Sequence, residues 1–234
     1  MSFLSVENMK TSIGQYVVLH DVSFEVPEGG VFVLLGRNGA GKTTTLRSIM
    51  GLWTPSPGSV RFRGEDISGL HPSEIARRGF ALVPEDMGIF GGLTVAENLV
   101  LATAKGKFDP VRLERILTLF PALDTFWDMH AWALSGGQKQ MLAVARAMIE
   151  PRDVILIDEP TKGLAPAIVD GMAEAFREMA RDTTIVLVEQ NFDFASSIGE
   201  AVAVVEDGHI VHRGSMADFV ADKALRDRLL SLSV

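Results

Sequence analysis

The sequence Gly36-Arg37-Asn38-Gly39-Ala40-Gly41-Lys42-Thr43 matches G-x-x-x-x-G-K-[ST], the pattern of a phosphate-binding loop. An apolar run at residues 31–35 precedes it and a helical run at residues 44–50 follows it, which is the order that the pattern requires. Glycines let the backbone curl so that successive N–H groups point at phosphate oxygens, and the start of the helix adds partial positive charge. We therefore expect Lys42 to reach the β- and γ-phosphates and the Thr43 hydroxyl to ligate magnesium. A Gly-rich turn without a ligand is the alternative, which the surrounding strand and helix disfavour.

A second motif, Val154-Ile155-Leu156-Ile157-Asp158-Glu159, is an apolar strand that ends in two acids. Ligands of an open parallel sheet bind beyond the carboxyl ends of its strands, so we expect Asp158 to face the magnesium ion held by Thr43. Glu159 comes one residue later and is a candidate general base that polarises the attacking water. The alternative is a strand followed by a solvated acidic turn, which the neighbouring phosphate loop disfavours.

The strand and helix patterns around these motifs predict an α/β fold with a parallel-sheet core. The apolar runs at residues 31–35, 154–157 and 184–188 are continuous, as in strands that are buried on both faces of a parallel sheet. A helical pattern at residues 166–180 joins the last two runs, which predicts a strand–helix–strand crossover. Further strands are predicted at residues 4–8, 17–26, 59–63 and 79–83. The pattern is mostly helical at residues 94–150, so we expect one domain over residues 1–234. In it a helical subdomain at about 87–150 interrupts a core of about 1–86 and 151–234.

The composition excludes some classes of function and disfavours others. The chain has 22 basic and 30 acidic residues and a net charge of −8, which disfavours general binding to nucleic acid. It has no cysteine, which excludes a disulfide framework and a Cys-ligated metal. The apolar runs are far shorter than the ~20 residues that span a bilayer, and the first residues do not read as a secretory signal. We therefore expect a soluble protein, or one that is peripheral to a membrane through a partner.

The segment Leu134-Ser135-Gly136-Gly137-Gln138 resembles the signature of ATP-binding-cassette (ABC) ATPases, and it lies between the two motifs as in that family. The resemblance covers essentially the whole chain. It implies a P-loop NTPase fold with a parallel-sheet core, an N-terminal antiparallel β subdomain and a helical insert. Locally, Ser135 and Gln138 also fit a helix-capping box, while two glycines at a helix start form an anion site. In the family this site addresses the ATP of a second cassette, so the resemblance implies a head-to-tail dimer with two nucleotides at its interface.

The resemblance also assigns residues to ATP and Mg²⁺. Tyr16, the only tyrosine, lies where the family places an aromatic side chain on adenine, and a core or strand-face tyrosine is the alternative. The implied catalytic residues are Lys42, Glu159 and Gln190, and the implied metal-side residues are Thr43, Glu85 and Asp158. The residues expected to contact the nucleotide are Tyr16, Gly36, Arg37, Asn38, Gly39, Ala40, Gly41, Lys42, Thr43, Thr44, Ser135, Gly136, Gly137 and Gln138.

Two positions depart from the commonest cassette pattern. Many members have Gln where this chain has Glu85, and many have His where it has Gln190. Val83-Pro84-Glu85, Gly163-Leu164-Ala165-Pro166 and Val188-Glu189-Gln190-Asn191 together resemble the ATPases of branched-chain amino acid importers and their urea and amide relatives. In that case Glu85 is a magnesium-side or water-side ligand. Gln190 is a donor to the γ-phosphate that does not titrate near neutral pH, or else only a cap of the following helix.

The resemblance implies an ATP-hydrolysing subunit that energises an ABC importer, with branched-chain amino acids as the expected cargo. The implied partners are a second ATPase subunit, identical or paralogous, membrane permease subunits and, indirectly, a periplasmic or surface solute-binding protein. No nucleic acid partner is expected. The expected location is the cytoplasm, on the inner face of the cell membrane through the permease.

Four alternative functions remain. The chain could serve an exporter of lipid or lipopolysaccharide, or a urea or amide importer. It could be a soluble ABC ATPase of DNA repair or translation, which the absence of a coiled-coil insertion, a fused second cassette and a basic balance disfavours. It could also be an ATP sensor that does not hydrolyse, a reading that Glu85 and Gln190 suggest.

Overall fold

All strands of the computed structural model, which describes residues 2–230, belong to one ten-stranded sheet. They are β1 (Leu4–Ile13), β2 (Tyr16–Val26), β3 (Val31–Gly36), β4 (Ser59–Phe62), β5 (Glu65–Asp66), β6 (Phe80–Val83), β7 (Val154–Asp158), β8 (Thr184–Glu189), β9 (Ala201–Glu206) and β10 (His209–Ser215). Their order across the sheet is β5-β4-β1-β2-β10-β9-β3-β8-β7-β6. The predicted domain also includes Met1 and residues 231–234, which lie outside the described residues.

Ten α-helices accompany these strands within residues 2–230. They are α1 (Lys42–Ile49), α2 (Pro72–Arg77), α3 (Val95–Leu101), α4 (Pro110–Leu119), α5 (Pro121–Thr125), α6 (Gly136–Met148), α7 (Pro166–Met179), α8 (Phe192–Ile198), α9 (Met216–Ala221) and α10 (Lys223–Leu230). None of the helices in the described part of the chain is long and apolar enough to cross a membrane.

Parallel pairing of β9, β3, β8, β7 and β6 forms the half of the sheet that carries the motifs. This arrangement confirms the predicted α/β fold with a parallel core. Every residue of β3, β7 and β8 is buried, because both faces of this half are covered. In the ladder Leu35 of β3 lies opposite Glu189 of β8, and Asp158 of β7 lies opposite Val188. The loops that follow these three strands therefore meet at one edge of the sheet.

The apolar side chains form two clusters, one on each face of the sheet. Val31, Val33 and Leu35 point into the cluster that contains the helices between β6 and β7. Phe32 and Leu34, on the other face of β3, pack with α1 and the N-terminal strands. This alternation explains why the run at residues 31–35 is apolar throughout, since each face of the strand has its own core.

The predicted N-terminal antiparallel part is formed by β1, β2, β4 and β5. It joins the parallel half through a short parallel contact between Asp21 of β2 and His209 of β10. The first strand is longer than predicted and runs on to Ile13, because its register shifts let it follow β2 as far as Tyr16.

The predicted helical insert is also present, and contains α3 to α6 between β6 and β7. The loop that enters the insert is held by the fully buried Asn98, whose Nδ2 donates to the carbonyls of Phe90 and Thr94 at 2.9 Å. Its Oδ1 accepts from the Phe90 N–H at 2.9 Å. Arg146 of α6 donates to the Gly88 carbonyl and lies over the Phe90 ring, with 5.0 Å between Cζ and the ring centroid. These contacts tie the loop after β6 to the insert.

Candidate functional site

The phosphate loop between β3 and α1 is curled by glycines in left-handed conformations. Gly39 has φ 80° and Gly41 has φ 107°, and a Cβ added to Gly41 would lie 2.7 Å from Leu19 Cδ2. The turn between β9 and β10 supports the loop, since the Gly208 N–H donates to the Ala40 carbonyl at 2.9 Å. No side chain caps the start of α1. The loop therefore has the uncapped N–H groups and the glycine curvature that fit bound phosphate.

The side chain of Lys42 is buried at the start of α1, and oxygen atoms surround its ammonium group. Nζ donates to the Gly36 carbonyl at 2.8 Å and the Arg37 carbonyl at 3.1 Å, and lies 3.0 Å from Glu159 Oε1. A buried ammonium needs such partners, because losing water around an unpaired charge is very costly. The contacts hold the lysine charge inside the curled loop, where it can meet a phosphate.

Thr43 and Asp158 lie side by side, although 115 residues separate them along the chain. The Thr43 hydroxyl donates to Asp158 Oδ1 at 3.1 Å. Burial raises the pKa of Asp158 to about 6; the Thr43 hydrogen bond opposes this, while the charges of Glu159 and Glu85 add to it. Hydroxyl and carboxylate oxygens around a point that is rich in negative charge fit Mg²⁺, which prefers hard oxygen ligands.

Glu159 follows Asp158 in a strained backbone conformation. Its φ is 46°, which is uncommon for a residue other than glycine and is often found at functional sites. Its N–H donates to the Val188 carbonyl at 2.9 Å, so β8 holds this part of the loop. Its carboxylate lies between two ammonium groups, 3.0 Å from Lys42 Nζ and 3.8 Å from Lys162 Nζ.

Glu85, expected on the metal side, pairs with Lys162 and lines the same cavity as Thr43, so its metal-side role stays a prediction. The Lys162 Nζ lies 2.5 Å from Glu85 Oε1, and the Glu85 carboxylate raises the pKa of Lys162. Sequence reasoning assigned no role to Lys162. Its position directly after Asp158-Glu159-Pro160-Thr161 was the available signal, but its partner lies 77 residues away.

A cavity of about 470 Å³ lies over the phosphate loop, and most of the charged side chains described above line it. Its lining residues are Val18, Asn38, Gly39, Gly41, Lys42, Thr43, Thr44, Glu85, Glu159 and Lys162. Among residues 2–230, no group of three His, Cys, Asp or Glu side chains could hold a metal by itself. The metal-side roles of Thr43, Glu85 and Asp158 stay predictions, and Mg²⁺ commonly takes oxygens of the substrate as further ligands.

None of the four signature residues 135–138 lines this cavity. They start α6 with the predicted capping box, in which Ser135 Oγ accepts from the Gln138 N–H at 3.3 Å. Gln138 Oε1 accepts from the Ser135 N–H at 2.8 Å. Gly136 faces open space, whereas a Cβ on the buried Gly137 would lie 3.0 Å from Ile168 Cγ2. Ser135 and Gly136 are thus exposed, whereas Gly137 packs against α7.

Tyr16 and Gln190 both have exposed side chains. Tyr16 is 71% exposed at the start of β2, which rules out a core position and leaves the strand-face alternative open. Helix α8 is capped by Asn191, whose Oδ1 accepts from the Phe194 N–H at 3.1 Å, and not by Gln190. Gln190 and Glu159 instead line a second cavity of about 330 Å³. The predicted contacts of Tyr16 with adenine and of Gln190 with phosphate stay predictions.

Comparison with known proteins gives matches along the chain. The family model described as "ABC transporter" matches residues 19–162. The chain is 38% identical to the high-affinity branched-chain amino acid transport ATP-binding protein BraG of Pseudomonas aeruginosa, over 97% of this chain and 99% of that protein. It is 34% identical to the probable branched-chain amino acid transport ATP-binding protein LivF of Archaeoglobus fulgidus, over 85% and 86%.

The fold also matches solved structures. The crystal structure of the ADP conformation of an ATP-binding cassette of an ABC transporter superposes with a TM-score of 0.81, at 24% identity and over 100% of both chains. This likeness is evidence for the fold alone.

The ion pair of Lys162 with Glu85 predicts that substitutions at these two positions have coupled effects on ATP binding. Lys162→Ala should weaken ATP binding about two- to fivefold, because it leaves an unpaired carboxylate beside the phosphates, an effect of the size seen for exposed ion pairs. Lys162→Ala combined with Glu85→Gln should return the affinity to within about twofold of the wild type, since the carboxylate charge is removed as well. Isothermal titration calorimetry measures both.

Lys105→Ala, at an exposed lysine of the helical insert, is the matched control and should leave the affinity unchanged. Equal losses in the single and the double variant would contradict the pairing, because Lys162 would then act on the nucleotide without Glu85.

Proposed function

The chain belongs to the ABC transporter family as an ATP-binding ATPase, and from this premise we propose that it energises the import of branched-chain amino acids. The observation that carries the cargo is the end-to-end similarity to a branched-chain amino acid transport protein. The sequence segments around Glu85, Gly163 and Gln190, which resemble the same branch, support it. An ATPase subunit need not touch the transported solute, so the cargo rests on this similarity and not on the site.

We propose that the phosphate loop and Lys42 bind the β- and γ-phosphates of ATP. The N–H groups at the start of α1 and the Lys42 ammonium supply directed positive charge, which stabilises the charge that develops on the transferred phosphoryl group. A γ-phosphate would compete with Glu159 for the Lys42 ammonium, now 3.0 Å from Glu159 Oε1. ATP would thereby release the Glu159 carboxylate for the attacking water.

The metal-side residues have a separate part in the proposal. Thr43 and Asp158 would hold Mg²⁺, which when bound supplies charge neutralisation at the phosphate oxygens. Glu159 takes the proton of the attacking water, and Gln190, across the shared cavity, donates an amide hydrogen to the γ-phosphate or the water. Tyr16 would stack on the adenine ring.

The proposed functional unit contains a second ATPase subunit, identical or paralogous. Ser135, Gly136, Gly137 and Gln138 would bind the ATP of that partner, and the fact that none of them lines the phosphate-loop cavity of their own chain supports this role. ATP would close the dimer, hydrolysis would open it, and permease subunits would convert the motion into alternating access. The chain would lie on the inner face of the cell membrane, bound to the permease, with a solute-binding protein delivering the cargo.

Replacing the proposed base separates binding from turnover. Glu159→Gln should keep ATP binding but lower kcat at least about 100-fold, because the amide retains the shape and lacks the basicity of the carboxylate. Blocked hydrolysis should let ATP accumulate a dimer, visible by light scattering after size exclusion. A variant that turns over ATP at the wild-type rate would assign the base to another residue.

Gly136→Glu is the matched control in the Glu159→Gln background. Its side chain enters open space, so the fold and the ATP affinity of the monomer should be kept. The dimer should be lost because a carboxylate then faces the phosphates of the partner.

Uptake by cells tests the cargo directly. Deleting the gene from its source organism should abolish high-affinity uptake of radiolabelled leucine, isoleucine and valine. The wild-type gene should restore uptake and the Glu159→Gln variant should not, since transport needs turnover. Uptake of an unrelated sugar is the control. Normal leucine uptake together with the loss of another solute would overturn the proposed cargo.

A further inference from the structure

A buried carboxylate, that of Glu189, connects two loops of the site and has no part in the functions described so far. Glu189 ends β8 and is 2% exposed. Its Oε1 accepts from the Thr161 hydroxyl at 2.7 Å and the Thr161 N–H at 3.2 Å. Its Oε2 accepts from the N–H groups of Gln190 at 3.0 Å and Asn191 at 3.1 Å. One side chain thus binds the loop after β7 and the loop after β8.

The position of Glu189 in the sheet places it between the groups proposed to act on ATP. Strand β8 lies between β3, which leads to the phosphate loop, and β7, which leads to Glu159. The Val188 carbonyl holds the Glu159 N–H at 2.9 Å, and Glu189 holds Thr161 two residues further on. The end of β8 therefore fixes the Glu159 loop at two successive points.

Burying the Glu189 carboxylate costs free energy, and a side chain that only joined two loops would not need to be charged. Burial raises the pKa of Glu189, and the hydrogen bonds from Thr161, Asn191 and Gln190 counteract only part of that rise. The other residues of β8 are Thr184 and an apolar run, so Glu189 is the only charged residue of this strand. All four groups that hydrogen-bond to Glu189 are donors, and only a carboxylate can accept all four of these hydrogen bonds.

We propose that Glu189 is a positioning residue for ATP hydrolysis, which sets the distance between the Glu159 loop and Gln190. Glu159, Thr161, Glu189 and Gln190 line one cavity, so a shift of either loop changes the gap in which water and γ-phosphate must meet. A misplacement of about 1 Å can cost on the order of 100-fold in rate. The inference rests on the ATPase function proposed above and deepens it.

The hydrogen bonds of Glu189 also predict what should stay unchanged. They go to residues 161, 190 and 191 and not to the phosphate loop at residues 36–43. Binding of ATP depends mainly on that loop, so a change at Glu189 should act on kcat and spare KM. A residue that only stabilised the fold would lower the unfolding temperature without changing turnover per folded molecule.

The test compares Glu189→Gln with a graded pair at Thr161 in the purified full-length chain. Glu189→Gln has nearly the same shape, but its NH₂ group faces donors and leaves at least one N–H of Thr161, Gln190 or Asn191 unpaired. We expect kcat to fall about 10- to 100-fold and the KM for ATP to stay within about twofold. Thr161→Val removes only the 2.7 Å hydroxyl contact and should lower kcat about three- to tenfold. Thr161→Ser keeps the hydroxyl and should stay near the wild-type rate.

Unfolding temperatures of all variants are measured beside the kinetics. The inference is overturned if Glu189→Gln and Thr161→Val lower only the unfolding temperature, or if KM rises while kcat stays constant. If Glu189→Gln fails to fold, the Thr161 pair decides alone, and equal kcat values for Val and Ser would overturn the inference. A wild-type chain without turnover would overturn the proposed ATPase role and this inference together, whereas an active wild type with a normal Glu189→Gln kcat overturns this inference only.

Discussion

The parallel pairing of β3, β8 and β7 is the constraint on which the rest of the site depends. It brings the carboxyl ends of three strands to one edge, where each strand delivers one kind of chemistry. The curled loop with Lys42 follows β3, Asp158 and Glu159 lie at or directly after the end of β7, and Glu189 and Gln190 lie at or directly after the end of β8. The apolar clusters on both faces fix these strands rigidly, so the functional side chains extend from a scaffold that has little freedom to move.

Some of the charges at this edge are already paired before any substrate is present. Lys42 lies within 4 Å of the Glu159 carboxylate and Lys162 within 4 Å of the carboxylates of Glu159 and Glu85, while Asp158 and Glu189 add two further carboxylates. ATP would bring several negative charges, which Mg²⁺ beside Thr43 and Asp158 would offset. A phosphate that binds to Lys42 would therefore break the contact between Lys42 and Glu159. In this way nucleotide binding would free the carboxylate of the proposed general base.

The sequence predicted the local parts of the site and missed the contacts between distant segments. The phosphate loop, the Asp158-Glu159 pair and the Ser135 capping box were identifiable because their chemistry depends on spacing within a few residues. The ion pair of Lys162 with Glu85 joins residues 77 apart, and the hydrogen bonds of Glu189 with Thr161 join residues 28 apart. Both depend on which strands are neighbours, which periodicity does not specify. The different surroundings of Gly136 and Gly137 were hidden for the same reason, since Ile168 lies on α7.

The central claim is that the edge after β3 is an ATP site with Lys42 at its centre, and the ATP affinity of Lys42→Ala tests it most directly. A charge-assisted contact to phosphate is worth about 1.5–3 kcal/mol, so titration calorimetry should show an affinity at least about tenfold below that of the wild type. Circular dichroism should confirm that the variant is folded. A folded Lys42→Ala protein that binds ATP as tightly as the wild type would contradict the account.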